Sequence, residues 1–119
     1  MKKKQISFEK FWIDVQHLCN KRKTFYTVAY KQINKVLEVR QEDIRVWTKN
    51  SGKNGSKIPK KMFLDTFTLL KPNRKILESK LKDTVQRSAF IAAVAAHLPY
   101  FRVCTNLVTI EVEQGYELH

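Results

Sequence analysis

Five lysines, Lys49, Lys53, Lys57, Lys60 and Lys61, fall within the stretch KNSGKNGSKIPKK, which holds two glycines, two serines and no acid. A flexible lysine-bearing loop that runs into a helix beginning at Pro59 suits phosphate. Exposed backbone N–H groups and the positive end of the helix dipole both favour an anion there. The spacing is not that of a nucleotide-binding loop, which needs four residues between its first glycine and a Gly-Lys-Ser/Thr triplet. Gly52 is followed by Lys57 with no such triplet, and no βαβ pattern surrounds it. The chemistry expected is attraction of a phosphate backbone, not ATP or GTP binding. A solvated strand-to-helix connector would carry the same composition, so the loop needs support from the rest of the chain.

Just before it, strand alternation sets Trp47 on one face with Arg45 and Lys49. An aromatic platform inside a cationic groove has this arrangement. The competing reading lays the first helix on this face, buries Trp47 and leaves the cations snorkelling at its edges; tryptophan's large area favours burial. Tyr26 and Tyr30 share the ambiguity. A second basic cluster, Lys21, Arg22 and Lys23, follows the first helix, where cations also complement the helix dipole.

Catalysis finds little footing. His17 and Cys19 lie two apart on a helix and point away from each other. His97 ends an apolar segment and reads as a satisfied core histidine, and His119 is the last residue. There is no HExxH, zinc-ligand spacing or GxSxG. Glu111 and Glu113 share one strand face, as in metal-dependent nucleases. No lysine follows them, and exposed edge strands carry such charges to deter pairing. No catalytic residue, cofactor or metal is therefore expected. Cys19 and Cys104 belong to no paired motif and read as thiols in a reducing compartment.

The charge that supports the loop is unevenly placed. Residues 1–61 carry 16 Lys/Arg against 5 Asp/Glu, and residues 62–119 carry 7 against 6, within a formal net charge of +12. The first half is expected to present a basic surface and the second to supply core. With 43% hydrophobic and 11% aromatic residues, the 119-residue chain is no disordered polycation and reads as one domain, 1–119. Its start, MKKKQISFEKFW, is basic but has no apolar run behind it. Neither a signal peptide nor a membrane span is expected, and the chain is placed in the cytoplasm with no membrane partner.

These residues must be positioned by an α+β fold. After a flexible basic tail (1–5), Ser7 caps a helix whose apolar residues Phe8, Phe11, Trp12, Val15, Leu18 and Cys19 form one stripe. Phe25–Val28, Lys35–Arg40 and Ile44–Lys49 read as a three-stranded antiparallel sheet, with Leu37 and Val39 on one face. A second helix spans Pro59–Leu70, closed by Pro72, and a weaker one lies within Asn73–Val85. Ser88 caps a helix over Ala89–Leu98, apolar all round and so central to the domain. Phe101–Glu113 reads as a hairpin turning at Thr105-Asn106, with Cys104 opposite Leu107.

The helix pair with this hairpin allows a winged-helix-like alternative. An alanine-rich recognition helix, offering only Arg87 and Ser88 to bases, and an acidic wing both resist it. The function expected is non-enzymatic binding of nucleic acid, DNA or RNA, mainly through phosphates. Lys53, Lys57, Lys60 and Lys61 carry it, with Arg45, Trp47, Lys49 and Lys21–Lys23 in support. Two alternatives are kept. A small basic ribonuclease of the toxin type requires a perturbed His or Tyr in a cleft beside the cations. A module docking an acidic protein partner, within a defence or mobile-element system, requires an exposed apolar patch ringed by lysines.

Overall fold

The computed structural model describes residues 2–119. Helix α1 (Phe8–Lys21) starts where the Ser7 hydroxyl accepts from the Lys10 N–H at 3.2 Å, and it buries Phe11, Trp12, Val15 and Cys19. This is the amphipathic stripe read from the sequence. It packs against the inner face of an antiparallel sheet formed by β2 (Thr24–Tyr26), β3 (Ile33–Val39), β4 (Asp43–Trp47) and β5 (Ser56–Pro59), in that order. The sheet has four strands and not three. Ser56 to Pro59, expected as loop, pairs with β4 because Ile58 falls opposite Ile44 and both are fully buried.

Helix α2 (Lys60–Asn73) follows directly. Pro59 is its N-cap at φ −65°, ψ 149°, so the helix starts one residue later than expected, and Pro72 lies inside the last turn instead of closing it. Arg74 closes it, in the left-handed region at φ 62°, with its N–H on the Leu70 carbonyl at 2.8 Å. That bend redirects the chain. Where a weak helix was read, Lys75–Leu77 forms β6 and only Glu78–Leu81 is helical (α3).

Helix α4 (Ser88–Ala95) buries every residue except Ala89, as its uniform apolarity demands. Arg87 is its N-cap, and the Ser88 hydroxyl donates to Glu78 at 2.6 Å instead of capping. A helix so enclosed cannot enter a groove of DNA, so the winged-helix-like alternative is not the arrangement adopted. The C-terminal hairpin exists as β7 (Phe101–Cys104) and β8 (Thr109–Val112), but in another register. Cys104 pairs with Thr109 and Phe101 with Val112, across a four-residue turn. The cause is β6, which pairs on the other side of β8 and sets Ile76 opposite Ile110. Glu111 therefore lies on a central strand, not an edge.

The tail is also more ordered than expected. Lys4–Ile6 is a strand, β1, paired in parallel with β9 (Tyr116–Leu118). Met1, the remaining part of that tail besides Lys2 and Lys3, lies outside the described residues.

Buried residues from all these layers form one continuous cluster. Phe11 stands at its aromatic centre, with ring centroids of Phe101, Phe67, Phe63, Phe8 and Tyr100 at 5.5, 5.7, 6.1, 6.1 and 6.5 Å. The buried Tyr100 satisfies its hydroxyl by donating to Asp14 at 2.8 Å. Burial pushes the Cys19 thiol up to about 12, outweighing the opposing pull of Lys23, so it stays protonated and inert. Cys104 is an exposed free thiol. Among the described residues no helix is long and apolar enough to cross a membrane.

Candidate nucleic-acid interface

The two faces of the four-stranded sheet differ sharply in chemistry. The inner face carries Phe25, Val36, Ile44, Val46 and Ile58, all buried against the helices. The outer face carries Tyr26, Ile33, Lys35, Leu37, Glu38, Arg45, Trp47 and Lys57. Register groups these side chains into cross-strand rows: Tyr26 beside Ile33, Lys35 beside Trp47, and Arg45 between Glu38 and Lys57. Three apolar side chains remain substantially open to solvent there, Tyr26 at 51%, Leu37 at 45% and Ile33 at 42%.

A β-bulge between Val36 and Glu38 explains why Leu37 and Val39 do not share a face: Leu37 keeps the outward alternation of Ile33 and Lys35, and the extra residue turns Val39 inward opposite Ile44. An extra residue on one strand resets its alternation. Gly55 lets the β4–β5 turn fold back over that position. It has φ 70°, and a Cβ there would sit 2.7 Å from the Val46 carbonyl oxygen and 2.9 Å from Leu37.

Trp47 is half-buried on this outer face and not under α1, so burial in the core, which its size favoured, does not hold. The Lys35 ammonium lies 5.3 Å from its ring centroid, a cation–π contact. Beside the ring, Gln32, Ile33 and Lys49 complete an open groove of about 300 Å³. Two residues back along β4, Arg45 stands between Lys57 on β5 and Glu38 on β3, so a like-charge pair is set beside an opposite-charge one. One Arg45 nitrogen donates to the Asn54 carbonyl at 3.1 Å, which leaves other guanidinium N–H groups outward. The one acid in this row, Glu38, is bonded to Arg40 at 3.1 Å, and Arg40 holds its carboxyl below the usual range.

The remaining sequence-predicted residues are dispersed. Lys53 lies in the β4–β5 turn, which is a hydrogen-bonded hairpin connection, since the Ser51 and Gly55 N–H groups donate to the Thr48 and Gly52 carbonyls. The loop therefore does not run straight into a helix N-terminus; β5 intervenes. At that N-terminus the Lys60 N–H is already used by the Glu42 carbonyl at 2.9 Å. The Lys60 ammonium is 3.9 Å from Glu42 and the Lys61 ammonium 3.0 Å from Asp65, so both carry local counter-charges. Among the described residues, Lys35, Arg45, Lys49, Lys53 and Lys57 have no carboxylate within 4.0 Å. Arg87 is half-buried and spends its donors on Ser56 and Asn34, which ties α4 to the sheet.

Lys21, Arg22 and Lys23 end up at the far end of α1, and Arg22 belongs to a different cleft. There it joins Tyr26, Lys31, His97 and Thr105 around a space of about 250 Å³. His97 is exposed and not in the core; its ring stands edge-on to Phe25 at 5.6 Å. Partial burial and the nearby Arg22 both lower its pKa, so it is neutral at pH 7.

Lys35, Ile33 and Leu37 belong to this face without lying in the lysine loop or beside Trp47 in sequence. Lys35 was recoverable, since it alternates with Asn34 and Val36, but the bulge that separates Leu37 from Val39 leaves no local signature. Among the described residues, no group of three or more His, Cys, Asp or Glu side chains is placed to hold a metal. Compared with known protein families, curated proteins and solved structures, the chain matches none.

Proposed function

We propose that this protein binds nucleic acid without acting on it chemically, through phosphate contacts made by the outer face of the four-stranded sheet and its β4–β5 turn. One observation carries this: Lys35, Arg45, Lys49 and Lys57 share a face with an outward-facing Trp47 and have no carboxylate within 4.0 Å, the Glu38 opposite Arg45 being bonded to Arg40. Exposed cations without ion-pair partners attract a polyanion, and release of its counterions drives binding. Lys53 extends the strip along the turn. Lys60 and Lys61, engaged with Glu42 and Asp65, contribute less. The test is salt dependence. If Lys35, Arg45, Lys49, Lys53 and Lys57 each neutralise a phosphate, log K should fall against log salt with a slope of about −4.5 on duplex and about −3.5 on single strands. Measurable binding with a slope near zero would remove the phosphate contacts from the interface.

A toxin-type ribonuclease is favoured by a separate observation, the neutral His97 in a cleft with Arg22, Lys31 and Tyr26. A neutral imidazole can take the proton of an RNA 2′-hydroxyl while cations hold the adjacent phosphate. Attack by that oxygen would expel the 5′-oxygen and leave a 2′,3′-cyclic phosphate. This activity requires cleavage of single-stranded RNA by the parent and a loss of at least ~100-fold in His97→Ala. Intact RNA after prolonged incubation with the parent would end it.

A further inference from the structure

We infer that the ligand of this outer sheet face is single-stranded nucleic acid, held by a base that stacks on Trp47 in the groove bounded by Gln32, Ile33 and Lys49, while the surrounding cations take its phosphates. This rests on the phosphate-binding reading above and goes past it, because it says which strand form is bound and by which group.

The groove is what separates the two strand forms. A duplex presents phosphates and groove edges, with its base faces hidden in the stack. A contact confined to charge would need no aromatic floor. Here the cations instead surround apolar side chains that the fold leaves open: Tyr26, Ile33 and Leu37 lie on the same face as Trp47, each more than two-fifths exposed. Every base has a π-face, so stacking on such a floor is tolerant of sequence. Gln32 also lines the groove, and its side-chain amide can donate to or accept from a base edge.

Lys35 now covers the Trp47 ring at 5.3 Å, and exchange with a base is favourable. An exposed cation–π contact is worth roughly 2- to 5-fold in an equilibrium constant. A stacked base is worth roughly 5- to 150-fold. The displaced ammonium does not lose its role. Its flexible stem lets it move from the ring to the phosphate of the nucleotide that replaced it, so ring and charge are used together. An acidic protein would meet the same cations. It would bring carboxylates on a folded surface, whereas a single strand brings a planar base with every phosphate.

Fluorescence makes the test direct, because the chain has two tryptophans and the other, Trp12, is buried at 4% exposure with its indole N–H on the Gln41 carbonyl. Titration with a short oligothymidylate should quench Trp47, and the single strand should bind at least ~10-fold tighter than the matched duplex. Trp47→Leu should weaken single-strand binding about 5- to 150-fold and leave the salt slope unchanged, since no charge is altered. Trp47→Phe keeps a ring and should retain most of the affinity, which separates stacking from any general damage; thermal unfolding of both variants confirms that they are folded. If the parent binds nucleic acid but prefers duplex, or if Trp47→Leu binds like the parent, stacking is wrong and the phosphate reading stands. If polyglutamate binds as tightly as oligothymidylate, the face serves an acidic protein and this inference is overturned. No binding to either strand form overturns both readings.

Discussion

Lys49→Glu combined with Lys57→Glu should cut nucleic-acid affinity by two orders of magnitude or more and leave the fold intact. Both side chains are exposed and, among the described residues, neither has a carboxylate within 4.0 Å to lose. Lys57 stands opposite Arg45, so a glutamate there converts a repulsive cross-strand pair into an attractive one. That exchange is worth about 0.2–1 kcal/mol to the sheet. Binding moves the other way. Each charge-assisted contact to phosphate is worth about 1.5–3 kcal/mol, so two lost contacts cost roughly 3–6 kcal/mol, a factor of about 100 or more. Repulsion by the new acids adds to this at low salt. Fluorescence anisotropy at fixed ionic strength reads the affinity, and thermal melting reads the fold. A folded double variant that binds like the parent would place the contact surface elsewhere, with the α2 N-terminus and the Arg22 cleft as the remaining basic regions.

The largest effect on stability is expected from Phe11→Ala. The ring is 1% exposed and meets five other aromatic rings contributed by α1, α2, β7 and the turn before β7. Removing it loses the burial of a phenyl group and opens a cavity among side chains too large and too mutually constrained to collapse into it. The cost should be about 3–5 kcal/mol. For a domain whose total stability is typically about 5–15 kcal/mol, that is a large share. Urea unfolding of the purified variant measures it. A loss below about 1 kcal/mol would mean that the aromatic cluster is not the centre of the core.

The helices were the most legible part of the sequence because their signals are local. The Ser7 cap and the stripe from Phe8 to Cys19 define α1, and the uniform apolarity of residues 89–98 demands a buried helix. Pairings between distant segments were less legible. Ser56 to Pro59 has a lysine, a proline and one strong strand former, and only the register with Ile44 makes it a strand. The hairpin register failed for a similar reason. Two inward pairings of Val103 satisfied alternation equally well, opposite Val108 or opposite Ile110, and the third strand, β6, selects the second.

Of the candidate interface, the basic and aromatic character was legible and its location was not. Trp47 was correctly aligned with Arg45 and Lys49, but whether α1 covered that face depended on which side of the sheet the helix packs. Period-two alternation leaves that open, because both faces of these strands carry apolar residues. The burial of Ile44, Val46 and Ile58 decides it.

The parallel pairing of β1 with β9 has a consequence for the order in which the chain assembles. Lys4 pairs with Tyr116 and Ile6 with Leu118, so the ladder joins segments more than a hundred residues apart. Closing a loop of that length is the most entropically costly pairing among the described strands, and a few short-strand hydrogen bonds cannot offset it from the open chain. Once the sheets and helices have formed, most of that entropy has already been spent. The ends are then brought near each other, and Ile6 and Leu118 have a packed surface to dock against. The strand pair is thus expected to close last, as a clasp. It depends on the core for its formation, and it reports, more directly than any local helix could, that the whole chain has folded.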